Sequence, residues 1–427
     1  MRWRYWKKWF KDKPWLLKWF VLLVLLRPII DNFYYLKEIS PLLSPLYIVG
    51  VLTPVLCLLT IFRYKVRQRS IIDKLFGYWS AALLLGCFLL FMFDPFSMQA
   101  MESVLKLSLP AYLFYFLRRF VRSQGDLDGI LQTVLYAGII VAGVLVYELT
   151  SGPIRTEESR GLARIQGNFG DVVSYGIYIA LASLAAGYFY FRDKLAGRPI
   201  RRSISICAAV AVISVVALVN MHHVASYTVF AMTVGLFVLY NMKVNKAVGV
   251  GAMVVVGLFV IYFGQQVLES SITPLLETDM KVYAGEQDTS KLMHGRVGRW
   301  MFMFDLLSEQ NVLVQMLGYP LTFEYAFHLV GIGAHNDFIR LLFFTGYLGL
   351  LVYVLLLFNV WRRARYLPEH HRFLVTGIMM ATVLYAISTT PTMYAPFVYI
   401  LMAVFAYVAL PLHRKMTYAK TAGALVG

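Results

Sequence analysis

Cysteine, internal repetition and charge are all scarce in this sequence of 427 residues. The three cysteines, Cys57, Cys87 and Cys207, all lie within apolar stretches, so the sequence predicts neither a disulfide nor a metal site. We find no clear internal repeat, which weakens the case for a transporter built from inverted repeats. Charged residues make up only 15% of the chain, against 59% hydrophobic residues. That composition is typical of a polytopic helical membrane protein.

Long apolar runs are what the sequence has in place of a soluble domain. A run of about 20 apolar residues spans roughly 30 Å of hydrocarbon as a helix. The sequence contains twelve such runs, which predict an all-α, polytopic integral membrane protein of about twelve transmembrane helices in a single domain, residues 1–427. They lie near residues 15–30, 40–62, 75–93, 100–117, 129–149, 172–191, 203–219, 223–240, 247–264, 337–358, 373–389 and 394–411.

The net charge of +17 is explained by where the basic residues lie. Of 40 Lys and Arg residues, 28 fall in the two termini and in every second predicted loop, against eight in the opposite loops. This positive-inside pattern predicts that both termini are cytoplasmic, and it makes nucleic acid unnecessary as a partner. The apolar run Leu16–Leu26 follows a basic start as in a signal peptide, but no small-x-small cleavage site follows, so we expect a retained first helix.

Two of the predicted external loops are longer than a connection requires. One covers residues 150–171, and the other, about 70 residues long, covers 265–336 and precedes a late helix. Loops of this length are usually functional. Within the second, residues 295–317 have helical spacing with an apolar stripe. This helix is expected either to lie in the outer membrane interface or to pack on the transmembrane bundle.

The sequence Gly333-Ala334-His335-Asn336-Asp337 stands where the second loop meets the next apolar helix. An unperturbed imidazole titrates near pH 6.5, so His335 is a candidate general base at the membrane surface. Asn336, Asp337 and Arg340 are candidate substrate-binding residues beside it. Asp337 is expected either to orient the imidazole or to cap the helix, and capping is the default for an aspartate in this position.

Arginine is scarce in the predicted external loops, which makes each one a candidate ligand for an anion. Arg296 and Arg299 are three residues apart, so both guanidinium groups can project from one side of a helix and donate paired hydrogen bonds to a diphosphate. The alternative is that they anchor the helix to lipid headgroups. Arg160 and Arg164 in the first loop are candidates for the same substrate, with a solvated loop as the alternative.

Glu102 and Lys106 are one helical turn apart inside the fourth predicted span. A charge in mid-bilayer costs roughly 2.5–3.5 kcal/mol, so we expect the two to be paired and to face the protein interior. They serve either as substrate contacts or as an internal strut.

Several of these segments resemble a known family. His335-Asn336 followed by Gly346-x-x-Gly349 is similar to a motif of bacterial O-antigen ligases and the related Wzy-type O-antigen polymerases. The preceding segments Arg296-x-x-x-Trp300, Leu317-Gly318-Tyr319-Pro320 and Arg164-x-x-Gly167-x-Phe169 also resemble that family. The resemblance covers roughly residues 160–358, and the twelve-helix arrangement with its late loop suits the whole chain.

The resemblance implies a glycosyltransferase of the bacterial inner membrane that needs no metal or cofactor and inverts the anomeric centre. Its donor would be a glycan on undecaprenyl diphosphate, and its acceptor a second glycan or lipid-linked glycan. A chain-length regulator or a flippase of the same pathway would be possible partners besides the lipid bilayer. His335 would act on the acceptor hydroxyl, and Arg296 and Arg299 would stabilise the leaving diphosphate.

Two functions share this donor. One is a polymerase that joins repeat units of a surface polysaccharide (O-antigen, capsule or exopolysaccharide), and the other is a ligase that transfers the glycan to lipid A-core or another acceptor. Where the family often has a Ser-Arg pair, this chain has His222-His223-Val224-Ala225-Ser226-Tyr227, a difference that favours the polymerase. A flippase of lipid-linked glycans and a non-catalytic assembly protein are the alternatives outside this class.

Overall fold

Helices occupy all twelve predicted positions in the computed structural model, which describes residues 3–40, 43–65, 69–93, 98–159, 162–167, 169–269, 273, 280–288, 292–322 and 334–411. Within these residues, eight helices are long and apolar enough to cross a membrane. The chain is therefore a helical protein with the features of a multi-pass membrane protein. Four further helices occupy the remaining predicted positions, and one of them, Ala395–Val408, is short for a span.

The helices are α1 (Trp3–Lys11), α2 (Trp15–Asn32), α3 (Leu36–Ile39), α4 (Pro45–Arg63), α5 (Ile71–Phe93), α6 (Met98–Phe120), α7 (Gln124–Ser151), α8 (Val172–Leu195), α9 (Arg201–Met221), α10 (Val224–Val244), α11 (Lys246–Val267), α12 (Leu292–Ser308), α13 (Val312–Leu317), α14 (Asp337–Ala364), α15 (Glu369–Ser388) and α16 (Ala395–Val408). Short 3-10 turns cover Tyr319–Thr322 and Pro391–Met393. The first long loop also contains a pair of antiparallel strands, β1 (Thr156–Ser159) and β2 (Leu162–Ile165), which the all-α prediction did not include.

The core of the bundle is built around α8 and α16. Helix α8 is buried along most of its length, and every residue of α16 from Pro396 to Val408 is buried. Glycines let neighbouring helices approach α8 closely: a Cβ at Gly187 would stand 2.6 Å from the Phe373 ring on α15. Helices α4 and α9 lie at the periphery and leave large apolar side chains exposed, as expected of surfaces that contact lipid.

Ion pairs between helices are concentrated at the end of the bundle that carries the Lys- and Arg-rich segments, here called the basic end. Arg118 on α6 donates to Asp73 on α5 at 2.7 Å, and both side chains are buried. Two further pairs join neighbouring segments: Lys13 with Asp126 at 2.6 Å and Arg192 with Asp128 at 3.0 Å.

The opposite end, here called the His335 end, gathers the starts of α4, α6, α8, α10, α14 and α16. Hydrogen bonds join these segments across long sequence separations. Tyr394 before α16 donates to Asp171 before α8 at 2.5 Å, and Asn336 before α14 donates to the carbonyl of Ile387 at 3.4 Å. The first long loop, between α7 and α8, also starts and finishes at this end, where Glu148 accepts from the backbone N–H of Gly167.

The region predicted as one helix over residues 295–317 forms two, α12 and α13, separated by a turn at residues 309–311. Both pack against α14, with Met303 and Leu307 buried, so the second of the two expected arrangements is observed. Phe304, from the predicted apolar stripe, is exposed.

Helix α14 is interrupted at Gly346, whose backbone has φ 66° and ψ −176°. A Cβ there would stand 2.3 Å from the carbonyl of Met316, and one at Gly318 would stand 2.3 Å from the carbonyl oxygen of Phe344. The end of α13 therefore rests directly on the backbone of α14. This contact fixes the second long loop against the helix that begins beside His335, and it requires glycine at both positions.

Candidate functional site

His335 directly precedes α14 and has an unusual backbone conformation. Its φ is 44°, in the left-handed region, and part of its surface is exposed to solvent, whereas its neighbours Ala334 and Asn336 are buried. Asn336 is the N-cap of α14, because its side-chain oxygen accepts from the backbone N–H groups of Phe338 at 3.0 Å and Ile339 at 3.1 Å. The cap fixes where the helix starts and so fixes the position of His335.

Asp337 and Arg340 form a buried ion pair directly below His335. Asp337 is fully buried and accepts from Arg340 Nε at 2.8 Å, from the Thr392 hydroxyl at 3.0 Å and from the Thr392 backbone N–H at 3.2 Å. Arg340 also donates to the Thr392 hydroxyl at 2.6 Å. These bonds tie α14 to the 3-10 turn before α16. Asp337 thus has Arg340 and Thr392 as its described partners, and Asn336 takes the capping role expected of Asp337.

Helix α12 reaches the site through Trp300. The Trp300 Nε1–H donates to the carbonyl oxygen of Ala334 at 2.6 Å, immediately before His335. Arg296 is one helical turn before Trp300, so the two project from the same side of α12. This hydrogen bond explains how a residue about 40 positions away in sequence is held beside the histidine.

The charges around His335 act on its protonation. Partial burial lowers the pKa of His335 below its ordinary value of 6.5, and the positive charges of Arg296 and Arg299 lower it further, while the Asp171 carboxylate acts in the opposite direction. The pKa of Arg296 is also lowered, by partial burial and then by Arg299. Arg296, Arg299 and His335 are therefore close neighbours at one surface, and we call them the cationic cluster.

Asp171 is the site residue that sequence reasoning missed. It caps α8 by accepting from the backbone N–H of Val173 at 2.8 Å, and it accepts from the Tyr394 hydroxyl. The loop before it is fixed by buried Glu148, whose carboxylate accepts from the backbone N–H of Gly167 at 3.0 Å. The only signal in the sequence was the position of Asp171 directly after the Gly167-to-Gly170 segment.

The structure describes only the backbone of one of the two candidate arginines in the first loop. Arg164 belongs to β2, where its Cα pairs with that of Glu157, and its side chain lies outside the described part of the chain. Arg160 lies outside the described residues altogether. Their proposed contact with substrate stays a prediction.

A cavity of about 350 Å³ opens beside Asp171. Glu102 and Lys106 line it as an ion pair at 2.6 Å, so the expected pairing of these two residues is observed. The expectation that both face the protein interior is wrong for Lys106, which is exposed. A second pair, Arg27 with Asp31 at 2.7 Å, lines it as well. Tyr47 at the start of α4 and Tyr394 before α16 also line it, as do the polar residues Tyr34, Thr53, Ser174, Thr390 and Tyr399.

Within the described residues, no group of three His, Cys, Asp or Glu side chains is close enough to hold a metal ion. The groups that could act on a ligand at the His335 end are therefore an imidazole, guanidinium groups, carboxylates and phenols. Together they could bind an anion, accept a proton and bind hydroxyl groups. No protein-family model matches this chain, and no curated protein is significantly similar to it.

Proposed function

We propose that the protein is a membrane glycosyltransferase that polymerises undecaprenyl-diphosphate-linked repeat units of a surface polysaccharide at the outer face of the bacterial inner membrane. The observation that carries the proposal is the cationic cluster. Helix α12 and the start of α14 bring two arginines and a histidine of lowered pKa together at one end of an apolar helix bundle. An anionic leaving group and a hydroxyl nucleophile need this combination.

The arginines suit the donor. In the proposed reaction the bond between the anomeric carbon and the diphosphate oxygen breaks, and the electron pair leaves on the diphosphate. Arg296 and Arg299 would hold that developing charge with guanidinium groups that stay protonated. Partial burial of Arg296 strengthens its attraction for an anion, since the local dielectric is lower than that of water.

His335 suits the acceptor. The acceptor hydroxyl forms the new bond to the anomeric carbon and releases its proton, for which a neutral imidazole is the acceptor. Because the pKa of His335 is lowered, the ring is neutral at pH 7 and ready to accept. Asp171 favours the imidazolium that results, so the two residues complement each other in the proposed step. Displacement from the opposite face would invert the anomeric centre.

Asn336, Asp337 and Arg340 are assigned a positioning role in this scheme. Asn336 caps α14, and the buried pair of Asp337 and Arg340 anchors that helix to Thr392. Both interactions fix the start of α14 and therefore the backbone that carries His335. Their geometry supports indirect action through the histidine better than direct contact with substrate.

Contacts between the segments that resemble O-antigen ligases and Wzy-type polymerases add support. Trp300 donates to Ala334, next to His335, and the Gly318 segment rests on Gly346. Segments that are separate in the sequence, and that resemble the family one by one, thus contact each other in the fold. A ligase with the same donor would use the same cluster, so the choice of acceptor separates the two functions.

A flippase for lipid-linked glycans is the second candidate. The observation in its favour is the cavity with charged residues inside helices, where Arg27, Glu102 and Lys106 lie. In a transporter those residues, and not the cationic cluster, would carry the activity.

The test is a glycan profile of a strain that lacks the protein, with lipid-linked and transferred material resolved. Accumulation of undecaprenyl-linked single repeats with loss of long chains is the result expected for a polymerase. Long chains that remain on undecaprenyl would identify a ligase instead. Absence of both species from the outer face would identify a transporter and contradict the proposal.

A further inference from the structure

The cavity beside Asp171 has a chemistry that differs from that of the cationic cluster. Its charged lining residues are two cations and three carboxylates, a formal balance of one negative charge. Each cation has a carboxylate in direct contact, Arg27 with Asp31 and Lys106 with Glu102. A diphosphate would be repelled by the carboxylates and would have to displace them from their partners, so the cavity is poorly suited to the donor's leaving group.

Hydroxyl groups of a neutral ligand suit the same lining well. An ionised carboxylate offers about four lone-pair sites, so one carboxylate can accept from a cation, a phenol and a ligand hydroxyl together. Tyr47 donates to Glu102 at 2.9 Å, and Tyr178 donates to Asp31 at 2.6 Å. Fixed carboxylates of this kind accept from ligand hydroxyls through charge-assisted hydrogen bonds.

Much of the remaining lining is apolar or aromatic, with Phe169, Tyr34 and Tyr399 among its residues, and Thr53, Ser174 and Thr390 add hydroxyl groups. Small-molecule sites typically combine such walls with a few fixed polar groups, and their volumes start at about 300 Å³. A volume of about 350 Å³ suits a ligand of one or a few sugar rings and excludes a long glycan chain.

The cavity also adjoins the proposed reaction centre. The 3-10 turn before α16 contributes Met393 to the cavity lining, and Thr392 of the same turn donates to Asp337, two residues after His335. Asp171 lines the cavity as well, and its carboxylate is near enough to His335 to raise the pKa of the imidazole. A ligand in the cavity therefore lies beside the segment that carries the proposed base, as an acceptor must.

We propose that this cavity is the acceptor subsite, where Glu102, Asp31 and Tyr47 bind the hydroxyl groups of a neutral terminal sugar and direct one hydroxyl to His335. The inference rests on the proposed glycosyl transfer. The Glu102–Lys106 pair then serves substrate recognition: Lys106 orients the Glu102 carboxylate, and Glu102 accepts from the sugar.

The test measures binding of two probes to the full-length protein in detergent. One probe is the repeat-unit oligosaccharide released from the strain's surface polysaccharide by mild acid, and the other is inorganic pyrophosphate. Glu102→Gln and Tyr47→Phe are expected to weaken oligosaccharide binding about 5–10-fold each, as expected for the loss of one hydrogen bond, and to leave pyrophosphate binding unchanged. Arg296→Ala is expected to give the reverse pattern.

Matched controls remove the same groups outside the cavity. Tyr147→Phe lies at the exposed end of α7, and Glu309→Gln lies on the exposed turn after α12, so both should leave the affinity for each probe unchanged. Melting temperatures of all variants establish that they fold.

Two results overturn the inference: oligosaccharide affinity that is absent or unaffected by the cavity variants, and pyrophosphate affinity that falls with them, which would identify an anion site. Neither result decides whether His335 is required for glycan synthesis, so failure of the subsite and failure of the proposed function remain distinguishable.

Discussion

The two ends of the helix bundle use charged residues in opposite ways. At the basic end, cations contact carboxylates on neighbouring helices, as Arg118 contacts Asp73 and Arg192 contacts Asp128. At the His335 end, two arginines lie close enough to each other and to a histidine that they lower its pKa. Positive charges next to the imidazole disfavour its protonated form. In the pairs at the basic end, the attraction between opposite charges offsets the cost of burying them.

This difference separates cations that pair with carboxylates of the fold from cations that lie close to other cationic groups. A cation already engaged with a buried carboxylate has little left to offer a substrate, and its removal leaves an uncompensated charge inside the protein. Clustered cations repel one another, and a bound anion relieves that repulsion. The comparison also divides the His335 end itself, because the Asp337–Arg340 pair there resembles the pairs at the basic end.

Loss of a pair at the basic end should have the largest effect on stability. Arg118→Ala leaves Asp73 buried without its cation and should lower the free energy of unfolding by about 3–5 kcal/mol. Denaturant or thermal unfolding in detergent measures this. Arg122→Ala, at an exposed arginine shortly after the same helix, is the control and should change stability little. Equal effects of the two substitutions would remove the basis of the comparison.

Loss of an arginine from the cationic cluster should instead reduce activity. Arg296→Ala and Arg299→Ala should each lower the rate of glycosyl transfer by about 10²–10³-fold, the range for loss of one group that stabilises developing negative charge. Melting temperature should change little. Lys281→Ala, another exposed cation of the second long loop, is the control. Normal transfer with either arginine removed would show that the cluster serves as a lipid anchor.

Gly346 packs against the end of α13 near the candidate site, so a substitution there should affect both stability and activity. Gly346→Ala places a Cβ against the Met316 carbonyl at a residue with φ 66°, so it should destabilise the protein by about 1–3 kcal/mol and displace α13. Unfolding measurements and transfer rates should both respond. Gly257→Ala on α11, where no atom lies within 4 Å of the added Cβ, should leave both unchanged or raise stability slightly.

The pH dependence of transfer should give the smallest effect. Because the neutral imidazole is the proposed base and the pKa of His335 is lowered from 6.5, transfer should be maximal at neutral pH and decline below pH 6.5, as His335 becomes protonated. Removing the charge of Arg299 should raise the pKa and move the decline to higher pH. Asp171→Asn should move it to lower pH, since the carboxylate raises the pKa. A profile that does not move with either substitution would show that another group titrates.

Sequence was sufficient for the parts of the fold that depend on local hydrophobicity. The positions of the helices follow from runs of apolar residues, and eight of these helices, in the described part of the chain, are long and apolar enough to cross a membrane. Pairing of Glu102 with Lys106 was also predictable, because it involves one helical turn. Each of these features depends on residues close together in the chain.

Features that depend on contacts between distant segments were not predictable from one sequence. Asp171 joins the site through Tyr394, 223 residues away. Arg340 was a candidate ligand because it follows His335 closely, yet the packing of α14 on the turn at Thr392 buries it against Asp337. The kink at Gly346 is a further case, because its left-handed backbone follows from the approach of α13.

Whether the His335 end carries glycosyl transfer is best tested by the glycan profile of a deletion strain complemented with His335→Ala at wild-type protein level. We predict that long glycan chains are lost and undecaprenyl-linked repeats accumulate, while the variant's melting temperature stays close to that of the wild type. Restoration of normal long chains by a folded His335→Ala protein would contradict it.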